Sequence, residues 1–156
     1  GCVIVEGIHA LNPVVIEGLG RDKVFTIYAG LREEYSRQGQ RIISTRDLRL
    51  VRRMIRDHKY RGHSPQKTIS MWPSVCEGED KFIKPFKPNA DLILDTSFSC
   101  EIMVANSALK NLSHELEENT AEAKRFEELI KAFSYCDFVR EGDLSSASML
   151  REFYGL

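Results

Sequence analysis

Ser44-Thr45-Arg46-Asp47-Leu48-Arg49-Leu50-Val51-Arg52-Arg53-Met54-Ile55-Arg56-Asp57, continuing through His58-Lys59-Tyr60-Arg61 to Gly62, decides how this 156-residue chain is read. Ser44 or Thr45 can cap a helix, Asp47 stands as the acidic partner of a capping box from Ser44, and helical pattern runs to about Tyr60 before Gly62. At about 100° per residue, Leu48, Leu50, Val51, Met54 and Ile55 gather on one side of that helix. Arg49, Arg52, Arg53 and Arg56 fall within an arc of roughly 100° on the other. One face packs, and the opposite face is nearly all guanidinium.

Between Arg46 and Arg61 seven basic side chains stand against Asp47 and Asp57, a local charge of +5 in a chain whose total is −1. Arginines at i,i+4, here Arg49/Arg53 and Arg52/Arg56, repel by a few tenths of about 1 kcal/mol per pair unless something anionic relieves them. A partner is therefore expected. The guanidinium is always charged and grips phosphate oxygens through a planar two-bond fork, so an arginine cluster points to phosphate recognition. The competing reading is a solvated face with internal pairs such as Arg53–Asp57.

Upstream, Cys2-Val3-Ile4-Val5 followed by Glu6-Gly7 reads as a buried strand of a parallel sheet. Val24–Ala29 and Leu92–Leu94 are further strand candidates, with Ile102–Val104 as a weaker one. A short turn or helix opens at Asn12-Pro13 and ends near Gly18-Leu19-Gly20, and the polar stretch Glu33–Gln40 reads as a loop. Past Gly62 a second helix starts at Ser64-Pro65 and stops before Pro73. Cys76–Asn89 is loop-like, Ala105–Phe138 is acidic and helical, and a final short helix begins after Asp143. The elements make an α/β fold: part of a doubly wound parallel sheet, an Arg-rich helix, and a C-terminal helical region.

A composition of 42% hydrophobic and 29% charged residues excludes a disordered chain. No apolar run of about 18 residues exists for a membrane helix, and a cytoplasmic location is expected. Cys2, Cys76, Cys100 and Cys136 lack metal-ligand spacing and read as reduced thiols. Glu6, a carboxylate at the end of a strand, sits where open α/β sheets place ligands, which makes it a candidate Mg²⁺ ligand. The phosphate loop G-x-x-x-x-G-K-[ST] is not in this sequence, because Gly18-Leu19-Gly20-Arg21-Asp22-Lys23 has the wrong spacing and runs into a strand.

Three runs carry a resemblance: Val5-Glu6-Gly7-Ile8-His9-Ala10-Leu11-Asn12, Thr45 to Asp57, and Arg61-Gly62. Met71-Trp72-Pro73-Ser74-Val75, Gly78-Glu79, Ala90-Asp91 and Leu150-Arg151-Glu152-Phe153-Tyr154-Gly155 agree with it. The pattern resembles the uridine kinase and phosphoribulokinase family of P-loop kinases, specifically the C-terminal half of uridine kinase-like nucleoside kinases.

The resemblance implies ATP and Mg²⁺ as cofactors and a nucleoside-type hydroxyl as phosphoryl acceptor. It makes Glu6 the Mg²⁺-holding carboxylate and residues of about 44–75 the lid over ATP. Arg56 and Arg61 match catalytic, phosphate-contacting arginines, and Arg53, Ile8 and His63 match substrate-facing positions. His63 stands where uridine kinases carry a second Arg, and Met71 where they carry a Gln, so uridine is not implied as the acceptor. The family's phosphate loop and general-base Asp fall before Gly1, so the 156 residues alone are expected to be inactive. A non-catalytic phosphate- or nucleic-acid-binding fragment is the alternative. Near-neutral charge and the lack of aromatics among the arginines, Tyr60 excepted, count against nucleic acid. A third reading is a structural or regulatory remnant of a kinase domain that dimerises through its exposed half-sheet edge.

Overall fold

The computed structural model describes residues 1–137, 139 and 143–154. The chain divides into two compact units, one of residues 1–30 and 73–96, the other of residues 31–72 and 97–156.

In the first unit, α1 (Pro13–Ile16) opens with Asn12, whose side chain accepts from the Val14 N–H. Strand β1 (Ile27–Gly30) pairs in parallel with β4 (Leu92–Asp95), Ile27 opposite Leu92 and Gly30 opposite Asp95. Asp91 ties the entry to this pair: its carboxylate accepts from the Thr26 N–H and hydroxyl, both at 2.8 Å, and from Arg21 at 2.6 Å. The Thr26 bonds first, and the Arg21 charge after them, hold the Asp91 carboxyl below its ordinary range.

The expected strand at Cys2–Val5 does not form; those residues are irregular, and Val3, Ile4 and Val5 are exposed. A β-branched run becomes a strand only against a neighbouring backbone, and among the described residues β1 pairs only with β4. Among the described residues the parallel sheet has two strands rather than the expected three or four.

The second unit holds the core. Glu33–Gln40, expected as a loop, instead opens a hairpin that continues to Ile43: β2 (Tyr35–Arg37) and β3 (Gln40–Ile43) pair antiparallel around Gln38-Gly39, both at positive φ. Such two-residue turns match the twist of the flanking strands, and Gly39 was their signal. Helix α2 (Thr45–Arg61) then begins at Ser44 with both halves of the capping box, the Asp47 N–H donating to Ser44 Oγ at 3.2 Å and the Ser44 N–H to Asp47 Oδ2 at 2.8 Å. Ser44→Ala should cost about 1 kcal/mol in urea unfolding; an unchanged midpoint would remove the cap from the account of why α2 starts here.

The α2 residues Leu48, Leu50, Val51 and Met54 are fully buried with Leu109, Leu129, Phe133 and Leu150 from α4 (Glu101–Leu112), α5 (Ala121–Phe133) and α6 (Leu150–Tyr154). Each such side chain contributes about 1.5–3 kcal/mol by leaving water. Ile102–Val104 is part of α4, not a strand, because buried Ile102, Ala105, Leu109 and Leu112 recur at helical spacing. Helix α3 (Pro65–Phe82) continues through Pro73, where the sequence predicts a stop. Proline removes one ladder bond, but its own φ is helical, so the turn persists at a cost. Cys76–Phe82 is therefore helix, and Lys84–Asn89 is a 3-10 segment instead of a loop. No described helix is long and apolar enough to cross a membrane.

Candidate functional site

The sequence-derived site residues divide between the two units. Glu6 and Ile8 lie in the first unit on an exposed, irregular segment whose Gly7 carbonyl accepts from the Ala10 N–H at 3.0 Å. Arg53, Arg56, Arg61 and His63 lie in the second.

Three of those second-unit residues converge. Asp57 is 2% exposed, on the flank of α2 between its packed and outward faces. Arg53 Nε lies 3.3 Å from its Oδ2, Arg61 Nη1 donates to Oδ1 at 2.9 Å, and Arg56 Nε is 3.5 Å from Oδ1. One buried carboxylate faces three guanidinium groups. The helix geometry produces this directly: residues 53, 57 and 61 are successive i,i+4 neighbours, and 56 adjoins 57. Arg56 and Arg61 remain 43% and 50% exposed, so their forks keep donors turned to solvent.

The exit from α2 sets the next residue. Gly62 adopts the left-handed conformation at φ 63°, and both its N–H and that of His63, the latter at 3.1 Å, donate to the Asp57 carbonyl. A non-glycine residue in this conformation is strained, which is why a glycine stands here. The turn leaves His63 partly buried, with Nδ1 shielded from solvent and no hydrogen-bond partner among the described residues. Buried polar atoms without partners are few in folded proteins, and such an atom is a feature a ligand would satisfy.

The all-guanidinium face expected from the sequence is corrected at Arg52. Its Nε and Nη2 donate to the two oxygens of Glu101, and its guanidinium lies 4.3 Å from the Phe153 ring centroid. Glu101 is completely buried and also accepts from the Tyr154 hydroxyl at 2.9 Å. Burial, with the adjacent Glu101 carboxylate, pushes the Tyr154 hydroxyl well above its ordinary value. Arg52 therefore turns inward. Sequence reasoning missed Glu101 because it lies 49 residues away, beside a run that also reads as a strand. At the other end of α2, Arg125 pairs with Asp47 and, at 2.9 Å, with Glu128.

Residues 41–103 match the model of a family described as Phosphoribulokinase / Uridine kinase family. Over 103 residues the chain is 31% identical to the uridine kinases of Staphylococcus aureus strains JH9, Newman and JH1. That alignment covers 65% of this chain and 42% of each relative, so the match spans less than half the relatives' length. No solved structure matches the chain significantly. The residues that the family model matches include Arg52, Arg53, Arg56, Arg61, His63 and Glu101. Glu6 and Ile8 lie outside the residues that the family model matches.

Proposed function

We propose that these residues are the C-terminal part of a uridine kinase-like P-loop kinase that transfers the γ-phosphoryl group of ATP to a nucleoside-type hydroxyl. The observation that carries the reading is the gathering of Arg53, Arg56 and Arg61 around Asp57, within the stretch matching the family model. Exposed apolar side chains on both strands of the small parallel sheet, including Ile27, Leu92, Ile93 and Leu94, fit a sheet belonging to a larger domain.

Phosphoryl transfer passes through a loose transition state stabilised by positioning and charge rather than by covalent chemistry. In this reading residues 44–75 form the lid, and Arg56 and Arg61 bracket the transferred group with the donors they leave facing solvent. Arg53, less exposed and closer to the helix body, orients the acceptor. Ile8 and His63 contact the acceptor, and the orphaned Nδ1 of His63 supports this for His63. Glu6 is an exposed hard oxygen donor, which suits Mg²⁺ held through one carboxylate. Bound there, Mg²⁺ would neutralise phosphate charge.

Calorimetry on the full-length protein tests the reading. Mg²⁺-dependent ATP binding that survives a rise in salt is the expected result. Binding to an RNA homopolymer that weakens steeply with salt, with ATP ignored, would replace it with a non-catalytic nucleic-acid module. The 156 residues alone are expected to show no turnover, because they lack the Gly-rich backbone cradle for phosphates. Robust transfer by them contradicts the assignment of roles.

A further inference from the structure

We propose that Glu101 is a positioning residue for the arginine cluster. Clamped between Arg52 of α2 and Tyr154 of α6, it fixes the rotation of α2 about its axis and so the direction in which Arg53, Arg56 and Arg61 are presented. The phosphate role of those arginines rests on the function proposed above; the positioning itself does not.

The apolar face of α2 is not sufficient to set that rotation. Leu48, Leu50, Val51, Met54 and Ile55 are buried, but apolar burial is non-directional and tolerates a helix rolling through a modest angle. The contacts of Arg53, Arg56 and Arg61 to Asp57 add no external restraint, since that carboxylate is on the same helix and turns with them. Directional contacts from outside α2 include Asp47 to Arg125, His58 to Glu115 and Arg52 to Glu101, and of these three Arg52 to Glu101 is the one largely buried on both sides. Two parallel N–H donors meet two oxygens, a fork satisfied in one orientation of the guanidinium plane. That plane is held on its face by Phe153, and one of the same oxygens is held by the Tyr154 hydroxyl. Glu101 has no access to water, so a roll of α2 that broke the fork would strand a buried charge.

The helix arithmetic connects this clamp to the cluster. Arg52 projects about 40° from Arg56 and about 100° from Arg53 around the axis. A roll that moves Arg52 therefore swings both by the same angle. Drawing Arg52 inward also removes a fourth guanidinium from the outward set, leaving Arg53, Arg56 and Arg61 around Asp57 without repulsion from an i,i+4 neighbour of Arg56. The short helix α6, five residues long, enters the design by the same route: it has too few turns to stand alone and is held by buried Leu150 and Tyr154.

The test uses ¹⁵N-labelled protein and two variants, Glu101→Gln, which keeps the shape and removes the charge, and Tyr154→Phe, which removes one hydrogen bond. The Nε–H resonances of Arg53, Arg56 and Arg61 are followed together with affinity for inorganic tripolyphosphate. In folded Glu101→Gln these three resonances are expected to shift, although none of the three pairs with residue 101, and tripolyphosphate affinity should fall about threefold to tenfold. Tyr154→Phe should move the same resonances in the same direction by less. Wild-type resonance positions in a folded Glu101→Gln protein would overturn the proposal; should that variant not fold, unmoved resonances in Tyr154→Phe overturn it. If the wild type ignores tripolyphosphate while the variants still shift the arginine resonances, the phosphate reading fails and the positioning role stands.

Discussion

If the proposed kinase function holds, replacing Arg56 or Arg61 with alanine in the full-length protein should lower kcat/KM about a thousandfold or more while leaving the fold intact. The two expectations come from the same geometry. Both side chains are about half exposed, and their contacts to Asp57 are at the protein surface on the arginine side, where an ion pair is worth at most about 1 kcal/mol. In the proposed reaction their value lies in charge delivered to a phosphoryl group in transit, where one arginine contributes about 10³–10⁵ in rate. Lysine should rescue little, because a single ammonium cannot reproduce the two-bond fork on phosphate oxygens. Steady-state kinetics paired with urea unfolding would measure both halves. Turnover at the wild-type level would remove the residue from the mechanism, and a collapse in stability would show it to be a structural arginine.

Arg52→Ala should behave in the opposite way, destabilising the second unit by about 3–5 kcal/mol in urea unfolding. Arg52 is only 12% exposed as a side chain, and its partner Glu101 not at all. Among the described residues, truncation leaves the buried carboxylate with no cation and only the Tyr154 hydroxyl as a side-chain partner. The cost measures the stranded charge rather than the worth of the pair. A triple variant, Arg52→Met with Glu101→Leu and Tyr154→Phe, should therefore recover most of the loss, since apolar groups of similar volume can replace a buried ion pair at little cost. A change below about 1 kcal/mol for Arg52→Ala alone would mean that Glu101 is not a buried anion in solution.

Of the candidate site, the residues of α2 were legible and their partners only in part. The i,i+4 relation of Arg53, Asp57 and Arg61 is written in the spacing, and Arg53–Asp57 stood in the sequence reading as the competing internal pair. The structure keeps both descriptions at once, since one buried carboxylate organises the three arginines that were expected to meet phosphate. His63 was marked only by its place in a resemblance, and its orphaned ring nitrogen is a three-dimensional fact. For Glu6 and Ile8 the structure adds their exposure and their position in the first unit.

By itself the sequence determined the features that depend on neighbours within a turn or two. These are the capping box that starts α2, the glycine that ends it, its apolar stripe, and the family likeness carried by its arginines. Hydrogen bonds and side-chain proximities over three to four residues follow from helix geometry alone, so local spacing suffices. Tertiary structure alone decided that Cys2–Val5 is not a strand, that α3 runs through Pro73, and that Ile102–Val104 is helix. It also decided that Arg52 turns inward to Glu101. Strand pairing, a tolerated proline and a buried ion pair each depend on which distant backbone or side chain arrives as a neighbour, and no local pattern encodes that arrival.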